Sequence, residues 1–194
     1  RYSGRFNVTQ KFLNDRLVVD ANLSANSTKN IRPSISGAIG DAISNNPTYP
    51  AYDAAGAPAV YQNISNPLLT FKLDKDLTNI NRVLGNISAS LKIINGLTYK
   101  INYGVDNATS TRDFQSLANA VPFREGRLDA YNSSNRNTLV ENYLTYNFKV
   151  KDHSFSTLAG HSYQKVFIQG RGWSINKFPI SPVEPIYNPG DRKS

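Results

Sequence analysis

Apolar and polar residues exchange places at every step through long stretches of this chain, the period of two that marks β-strands with unlike faces. From Tyr2 to Phe12 one face collects Tyr2, Gly4, Phe6, Val8 and Phe12, and the other Ser3, Arg5, Asn7, Thr9 and Lys11. Beyond Asn14-Asp15 the pattern resumes with Leu17, Val19, Ala21, Leu23 and Ala25 opposed to Val18, Asp20, Asn22, Ser24 and Asn26, which predicts a hairpin. The clearest pair lies between Arg82 and Asp106. Val83, Gly85, Ile87, Ala89, Leu91 and Ile93 alternate with Arg82, Leu84, Asn86, Ser88, Ser90 and Lys92, and the return strand sets Leu97, Tyr99, Ile101, Tyr103 and Val105 against Thr98, Lys100, Asn102, Gly104 and Asp106. Asn95-Gly96 between them is predicted to supply the two positive-φ residues of a type I′ turn. A slip of one residue would exchange the two faces, so the register is well specified. A third pair runs from about Asn137 to Phe148 and from His153 to Phe167, joined by Lys149 to Asp152. Its facing is weaker, because Asn142 interrupts the face of Val140, Leu144, Tyr146 and Phe148, and Thr157 and His161 share that of Phe155, Ala159 and Tyr163.

The predicted strands are 2–13, 16–27, 80–93, 97–106, 137–148 and 153–167. Between the pairs lie long connections from Thr28 to Asn79, Asn107 to Arg136 and Ile168 to Ser194, rich in proline in the first and last, with a short helix expected over Ile35 to Ile43. Connections that alternate between short and long fit an antiparallel transmembrane β-barrel, with short periplasmic turns, long extracellular loops and an aliphatic face turned to lipid. A soluble sandwich would have to bury Asn86, Ser88, Lys100 and Asn102 in a dry core, whereas a wet lumen accommodates them. The fold class expected is therefore all-β, an antiparallel transmembrane barrel segment of about six strands in three hairpins.

Composition supports the strands and narrows the chemistry. In 194 residues, 39% are hydrophobic and 19% charged, both below the averages of about 45–50% and 25% for soluble domains. Cysteine is absent, which removes disulfides, thiolate metal sites and a cysteine nucleophile, and imidazole is limited to His153 and His161. The net charge of +8 comes from 22 Lys and Arg scattered among 14 acidic residues without a basic run, so no nucleic-acid partner is expected. Strand-like residues begin at Arg1, which predicts a fragment of a longer protein, with any signal peptide outside it.

Four stretches together resemble a known family: Arg1 to Ala25 (RYSGRFNVTQKFLNDRLVVDANLSA), Asn46 to Gly56 (NPTYPAYDAAG), Asn81 to Asp106 (NRVLGNISASLKIINGLTYKINYGVD) and Glu141 to Gln164 (ENYLTYNFKVKDHSFSTLAGHSYQ). In order along the chain they are similar to the barrel of SusC/RagA-type TonB-linked outer-membrane transporters. The resemblance implies a barrel of about 22 strands closed by an N-terminal plug. It also implies location in the outer membrane of a Gram-negative bacterium, uptake of oligosaccharide or peptide driven through the TonB complex, and a SusD-type lipoprotein closing over the top. Residues 1–194 would then be a partial barrel domain, lacking the plug, the TonB box and most of the strands. The reading from a different class is a soluble or surface-attached β-rich glycan-binding or adhesin module with no transport role.

Individual motifs weigh little beside this. Seven Asn-x-Ser/Thr sequons occur, but those at Asn7, Asn22 and Asn86 lie inside predicted strands, where a polar face selects such pairs without glycosylation. Asp74-Lys75-Asp76 opens like a calcium loop, yet Asn79 and Gly85 stand where Gly and a bidentate Glu are needed, so an ordinary charged loop is expected. Gly170-Arg171-Gly172-Trp173 lacks the third glycine and the helix of a phosphate-binding turn. Glu125 and Asp129 could be neighbours, but paired loop carboxylates are commonplace, and neither a nucleophile elbow nor a metalloprotease helix exists, so no enzymatic activity, catalytic residue, metal site or cofactor is expected. Tyr99, Tyr103, Tyr146 and Phe148 suit a membrane interface. Tyr49, Tyr52, Tyr61, Phe114, Phe123 and Trp173 fall in the long connections and are the candidate ligand or partner contacts. Arg5, Asn86, Lys100 and Asn102 are the candidate lumen-facing residues. The prolines and tyrosines of Ile31 to Pro67 predict a pre-organised docking element in place of a tether.

Overall fold

The computed structural model of the chain describes residues 1–32, 35–62, 66–120 and 123–180. Six strands lie side by side in chain order: β1 Tyr2–Phe12, β2 Leu17–Arg32, β3 Asp74–Ile94, β4 Leu97–Ser116, β5 Gly126–Val150 and β6 His153–Phe178. They form one antiparallel sheet that does not close on itself. Helices α1 Ile35–Ser44 and α2 Pro67–Leu73 lie between β2 and β3. The chain divides into two compact units, one of Arg1–Thr28, Ile80–Thr109 and Ser133–Gln169, the other of Lys29–Asn79, Ser110–Asn132 and Gly170–Ser194.

In the first unit the expected facing holds. β1 pairs with β2 in the register Phe6↔Leu23, Asn7↔Asn22 and Thr9↔Asp20, so apolar meets apolar and polar meets polar. On the polar face Asn86 Nδ2 donates to Asn102 Oδ1 at 2.7 Å, and Asn102 Nδ2 to Glu141 Oε2 at 2.9 Å. On the other face, a Cβ built at Gly85 would stand 3.1 Å from Val105 Cγ2 and 3.7 Å from Leu23 Cδ1. Asn142, the polar intruder on that apolar face, accepts from the Tyr99 hydroxyl at 2.7 Å, which offsets the cost of leaving an amide among apolar neighbours. Near the β5–β6 turn Tyr146, Phe148 and Phe155 stack in a row, with ring centroids 5.1 and 5.2 Å apart.

Three short turns gather in this unit. Lys92 N donates to Arg16 O at 2.8 Å, the Arg16 guanidinium caps Ile93 O at 2.7 Å, and Asn147 N donates to Gly96 O at 2.8 Å, so each turn is tied to its neighbour. The first turn is wider than Asn14-Asp15 and carries positive φ at Leu13, Asn14 and Asp15 (56°, 55° and 62°). The second does not have the expected type I′ form: Gly96 takes φ +82° while Asn95 stays out of the left-handed region. The third is only Lys151-Asp152, because β5 continues through Lys149 and Val150.

In the second unit the sequence-based limits are corrected most. Strand β2 runs on to Arg32, β3 begins at Asp74, β4 continues to Ser116, β5 starts at Gly126 and β6 extends to Phe178. The connections expected over Thr28 to Asn79, Asn107 to Arg136 and Ile168 to Ser194 therefore shrink, and residues 181–194 lie outside the described residues. Asp74-Lys75-Asp76 is the start of a strand, not a loop. The added lengths show little alternation of apolar and polar residues, but a ladder is held by main-chain hydrogen bonds that need none.

Helix α1 forms where expected and packs its buried Ala38 towards α2, with Thr70 Oγ1 donating to Asp41 Oδ2 at 2.9 Å. Helix α2 was not expected, although Asn66-Pro67 is a start signal. The Asn66 side chain accepts from Leu68 N at 3.0 Å, caps α2, and donates to Ala51 O and Ala59 O at 2.8 and 2.9 Å. The loop from Ile31 to Pro67 is thus folded on a buried amide, with Pro33, Ser34 and Asn63 to Ser65 outside the described residues.

Burial is inverted relative to a soluble domain. Among the described residues the buried apolar side chains are three alanines and two leucines, whereas Phe6, Ile87 and Ile101 are 62%, 50% and 40% exposed. A Cβ at Gly96 would lie 2.1 Å from Asn147 O, and the positive φ alone costs about 1–3 kcal/mol for most side chains. Gly96→Ala is therefore expected to lower the midpoint of unfolding sharply, while Asn95→Ala changes it little. Equal midpoints for the two variants in a urea titration of the full-length protein would contradict this account of the turn.

Candidate ligand-binding recess on the sheet

Strand β4 carries Arg112 and Phe114 two residues apart, so both project from one face, and β5 does the same with Arg127, Asp129 and Tyr131. With Gly172, Trp173 and Ser174 of β6 they line an open recess of about 640 Å³ within the second unit. The charged side chains are held in pairs. Arg112 grips Asp76 of β3 through Nε and Nη2 at 3.0 and 2.7 Å, and Arg127 Nε lies 2.8 Å from Asp129 Oδ2. Asp76 is buried while the Arg112 side chain is half exposed, so the carboxylate anchors and the guanidinium remains open to the recess. Hydrogen bonding and the charge of Asp76 raise the Arg112 guanidinium above its already high ordinary pKa. Behind it, Arg124 bonds both Asp74 and Ser116, tying the β4–β5 connection to the start of β3.

Tyr131 is seated by two glycines. A Cβ at Gly170 would come 2.5 Å from the Tyr131 hydroxyl oxygen and 3.2 Å from Cζ, and one at Gly172 would come 3.2 Å from Cδ2. The ring therefore lies across the part of β6 where side-chain bulk is missing, and is half exposed on its other side. Gly170-Arg171-Gly172 is a ring seat in a strand, where the sequence showed only a failed phosphate motif.

The candidate contacts divide into separate groups. Phe114 and Trp173 are strand residues, not loop residues, and both border the recess. Tyr49 and Tyr61 stack on one another at 4.7 Å, with the Tyr61 hydroxyl bonded to the Pro50 carbonyl, so they spend contact area on the loop's own fold. Tyr52 is bridged to Pro58 yet 55% exposed, and Phe123 is exposed in the β4–β5 connection. Arg5, Asn86, Lys100 and Asn102 share the polar face in the first unit, where Lys100, Asn86 and Asn102 line a hollow of about 460 Å³ with Asp20, Glu141 and Tyr143. Sequence reading missed Arg112, Arg127 and Tyr131 because it treated their segments as loops; the i, i+2 spacing of Arg127, Asp129 and Tyr131 was the available signal. Glu125 and Asp129 do not share one loop, since Asp129 lies in β5. Among the described residues no group of three His, Cys, Asp or Glu could hold a metal ion.

No family model matches the chain. A stretch of 125 residues, 62% of this chain and 12% of the relative, is 32% identical to TonB-dependent receptor P3 of Formosa agariphila. The structure of the RagAB peptide transporter matches with a TM-score of 0.69 at 22% identity, over 91% of this chain and 21% of that one. The RagAB peptide importer in its "closed-closed" state matches with a TM-score of 0.72 at 23% identity, over 91% of this chain and 21% of that one. Its "open-open" state gives 0.71 at 22% identity, over 90% and 21%. The chain thus spans only 12% of the receptor and 21% of each transporter chain it matches. Its fold is that of a stretch of those transporter chains, and its sequence is similar to part of a TonB-dependent receptor.

Between the lining residues Arg112 and Phe114, Asp113 has its carboxyl pKa raised by burial. A carboxyl raised in the folded state favours folding while it is protonated, and this contribution is lost as pH rises through the folded value. Asp113→Asn is accordingly expected to stabilise the full-length protein at neutral pH, with the gain vanishing below the ordinary carboxylate value of 3.8. Unfolding midpoints of the two proteins at pH 3.5 and 7 check the sign; a variant less stable at pH 7 refutes it.

Proposed function

We propose that this chain forms part of the barrel wall and outer loops of an outer-membrane transporter of a Gram-negative bacterium. Such a transporter is energised through TonB and imports oligosaccharide or peptide with a SusD-type surface lipoprotein. The observation that carries this reading is the two-faced sheet. One face is a network of Asn86, Asn102, Glu141 and Ser88, and the other presents Phe6, Ile87, Ile101 and Leu144 with nothing among the described residues laid over them. A soluble adhesin or glycan-binding module needs a second layer on that apolar face, because a patch of this extent in water invites association. Lipid on one side and a wet lumen on the other account for both faces at once.

In this reading Val83, Ile87, Leu91, Leu97, Ile101 and Val105 face lipid, and Arg5, Asn86, Lys100 and Asn102 face the lumen. Strand β1 is exposed along its whole length and β6 from His153 to Ser174, as edges are, and the remainder of a barrel supplies their partners. The plug and the TonB box belong to that remainder. The β2–β3 connection, with its buried Asn66 and exposed Tyr52, is the element offered to the lipoprotein.

Two measurements on the full-length protein test the reading. Ile101→Arg is expected to cost about 2–4 kcal/mol if the residue lies near mid-bilayer, whereas Lys100→Arg is tolerated. Folding assays in lipid vesicles read both, and equal costs would overturn the facing. In intact cells, Tyr52→Ala is expected to reduce co-purification of the lipoprotein while the barrel keeps its resistance to heat in detergent; unchanged co-purification removes Tyr52 from the interface.

A further inference from the structure

We infer that the recess around Tyr131 is a subsite for one ring of a neutral, hydroxyl-rich sugar chain, an inference that rests on the transporter reading and selects oligosaccharide over peptide as cargo. Three features of the site lead there. The Tyr131 ring is pressed onto Gly170 and Gly172, so its tilt is set before any ligand arrives and its half-exposed side is a ready surface for the C–H face of a pyranose. Phe114 lines the same recess and extends the apolar area. Next to these rings stand guanidinium and carboxylate groups side by side, Arg127 with Asp129 and Arg112 fixed on Asp76. A sugar hydroxyl both donates and accepts, so neighbouring hydroxyls can give protons to a carboxylate oxygen while accepting from guanidinium N–H groups.

Charge selects against other cargo. Arg112 is neutralised by Asp76 and Arg127 by Asp129, which leaves these four groups with no net charge and gives an anionic sugar no Coulombic advantage. A peptide bound by strand addition requires a free sheet edge. The recess instead opens on a sheet face lined by β4, β5 and β6, and the main-chain groups of β4 and β5 are committed to the ladder.

The test uses the full-length transporter purified in detergent, with calorimetric titration of cellohexaose, maltohexaose, laminarihexaose, mannohexaose and xylohexaose. A mannuronate hexamer and a serine–glycine hexapeptide serve as charged and peptide probes. At least one neutral hexamer is expected to bind, Tyr131→Ala to weaken it at least tenfold and Tyr131→Phe to keep it within threefold. Gly172→Val, which lifts the ring without removing it, should weaken binding as Tyr131→Ala does. A general loss of structure would instead appear in the heat-resistant barrel band, which these variants should retain. Binding of none of the neutral hexamers, binding of the mannuronate or peptide probe alone, or binding indifferent to Tyr131 overturns the inference. The outer-membrane reading fails separately, if the wild-type protein does not fractionate with the outer membrane.

Discussion

Everything distinctive about this chain depends on the main-chain ladder that joins each strand to the next from β1 to β6. Once amides and carbonyls are paired within the sheet, the two faces are free to be unlike, and the strand can pass from an apolar medium to a wet one without leaving a polar group unpaired. Side chains then need to satisfy only their own surroundings. Asn142 illustrates the point, since it sits on the apolar face but has its amide oxygen met by Tyr99 from the adjoining strand. A helix-rich chain of this composition could not do the same, because its Asn, Ser and Thr would compete with the helical main chain.

The Arg–Asp pairs on the polar side act through geometry more than through strength. Arg82 meets Asp106 and Arg112 meets Asp76, each by two hydrogen bonds between β3 and β4. With the guanidinium half exposed and screened by water, such a pair adds little to stability. Its rigid fork nevertheless fixes two side chains at once and holds β3 and β4 in register. Asp76 and Asp74 are nearly buried, so they need their arginines in a way the arginines do not need them.

Alternation made the first unit legible and left most of the second one dark. It appears where one medium is apolar and the other is not, which is why Val83 to Ile93 and Leu97 to Val105 could be assigned to faces residue by residue. Ser110 to Ser116 and Ile168 to Phe178 are strand as well, but polar and apolar residues occupy both of their faces, and from Gly126 to Tyr131 the alternation of Leu128 and Ala130 with Arg127 and Asp129 is too brief to set a strand apart from a loop. The same blindness hid the recess. Phe114 and Trp173 stand out in the sequence as aromatic residues, whereas Arg112, Arg127 and Tyr131 gain meaning only once their segments are strands. Asn66 was hidden for another reason: a buried amide that satisfies a helix start and two distant carbonyls has no signature beyond the Asn-Pro pair itself.

Gly170 and Gly172 show how a local weakness becomes a positional constraint. Glycine in a strand interior sacrifices about 0.5–1 kcal/mol relative to alanine, and two on one face of the same strand leave a gap in the side-chain surface. Tyr131 from β5 fills that gap, so area left bare by the glycines is covered by a ring that a Cβ at Gly170 would displace and one at Gly172 would crowd. A tyrosine on an ordinary strand surface would keep its rotamer freedom and could lean away from its neighbours. Here the main chain of β6 is its floor, and the ion-paired Arg127 and Asp129 occupy the preceding same-face positions on β5. The two glycines thus convert a flexible aromatic side chain into a fixed surface beside fixed donors and acceptors, the combination that lets a binding site avoid much of the ordering cost at the moment of contact.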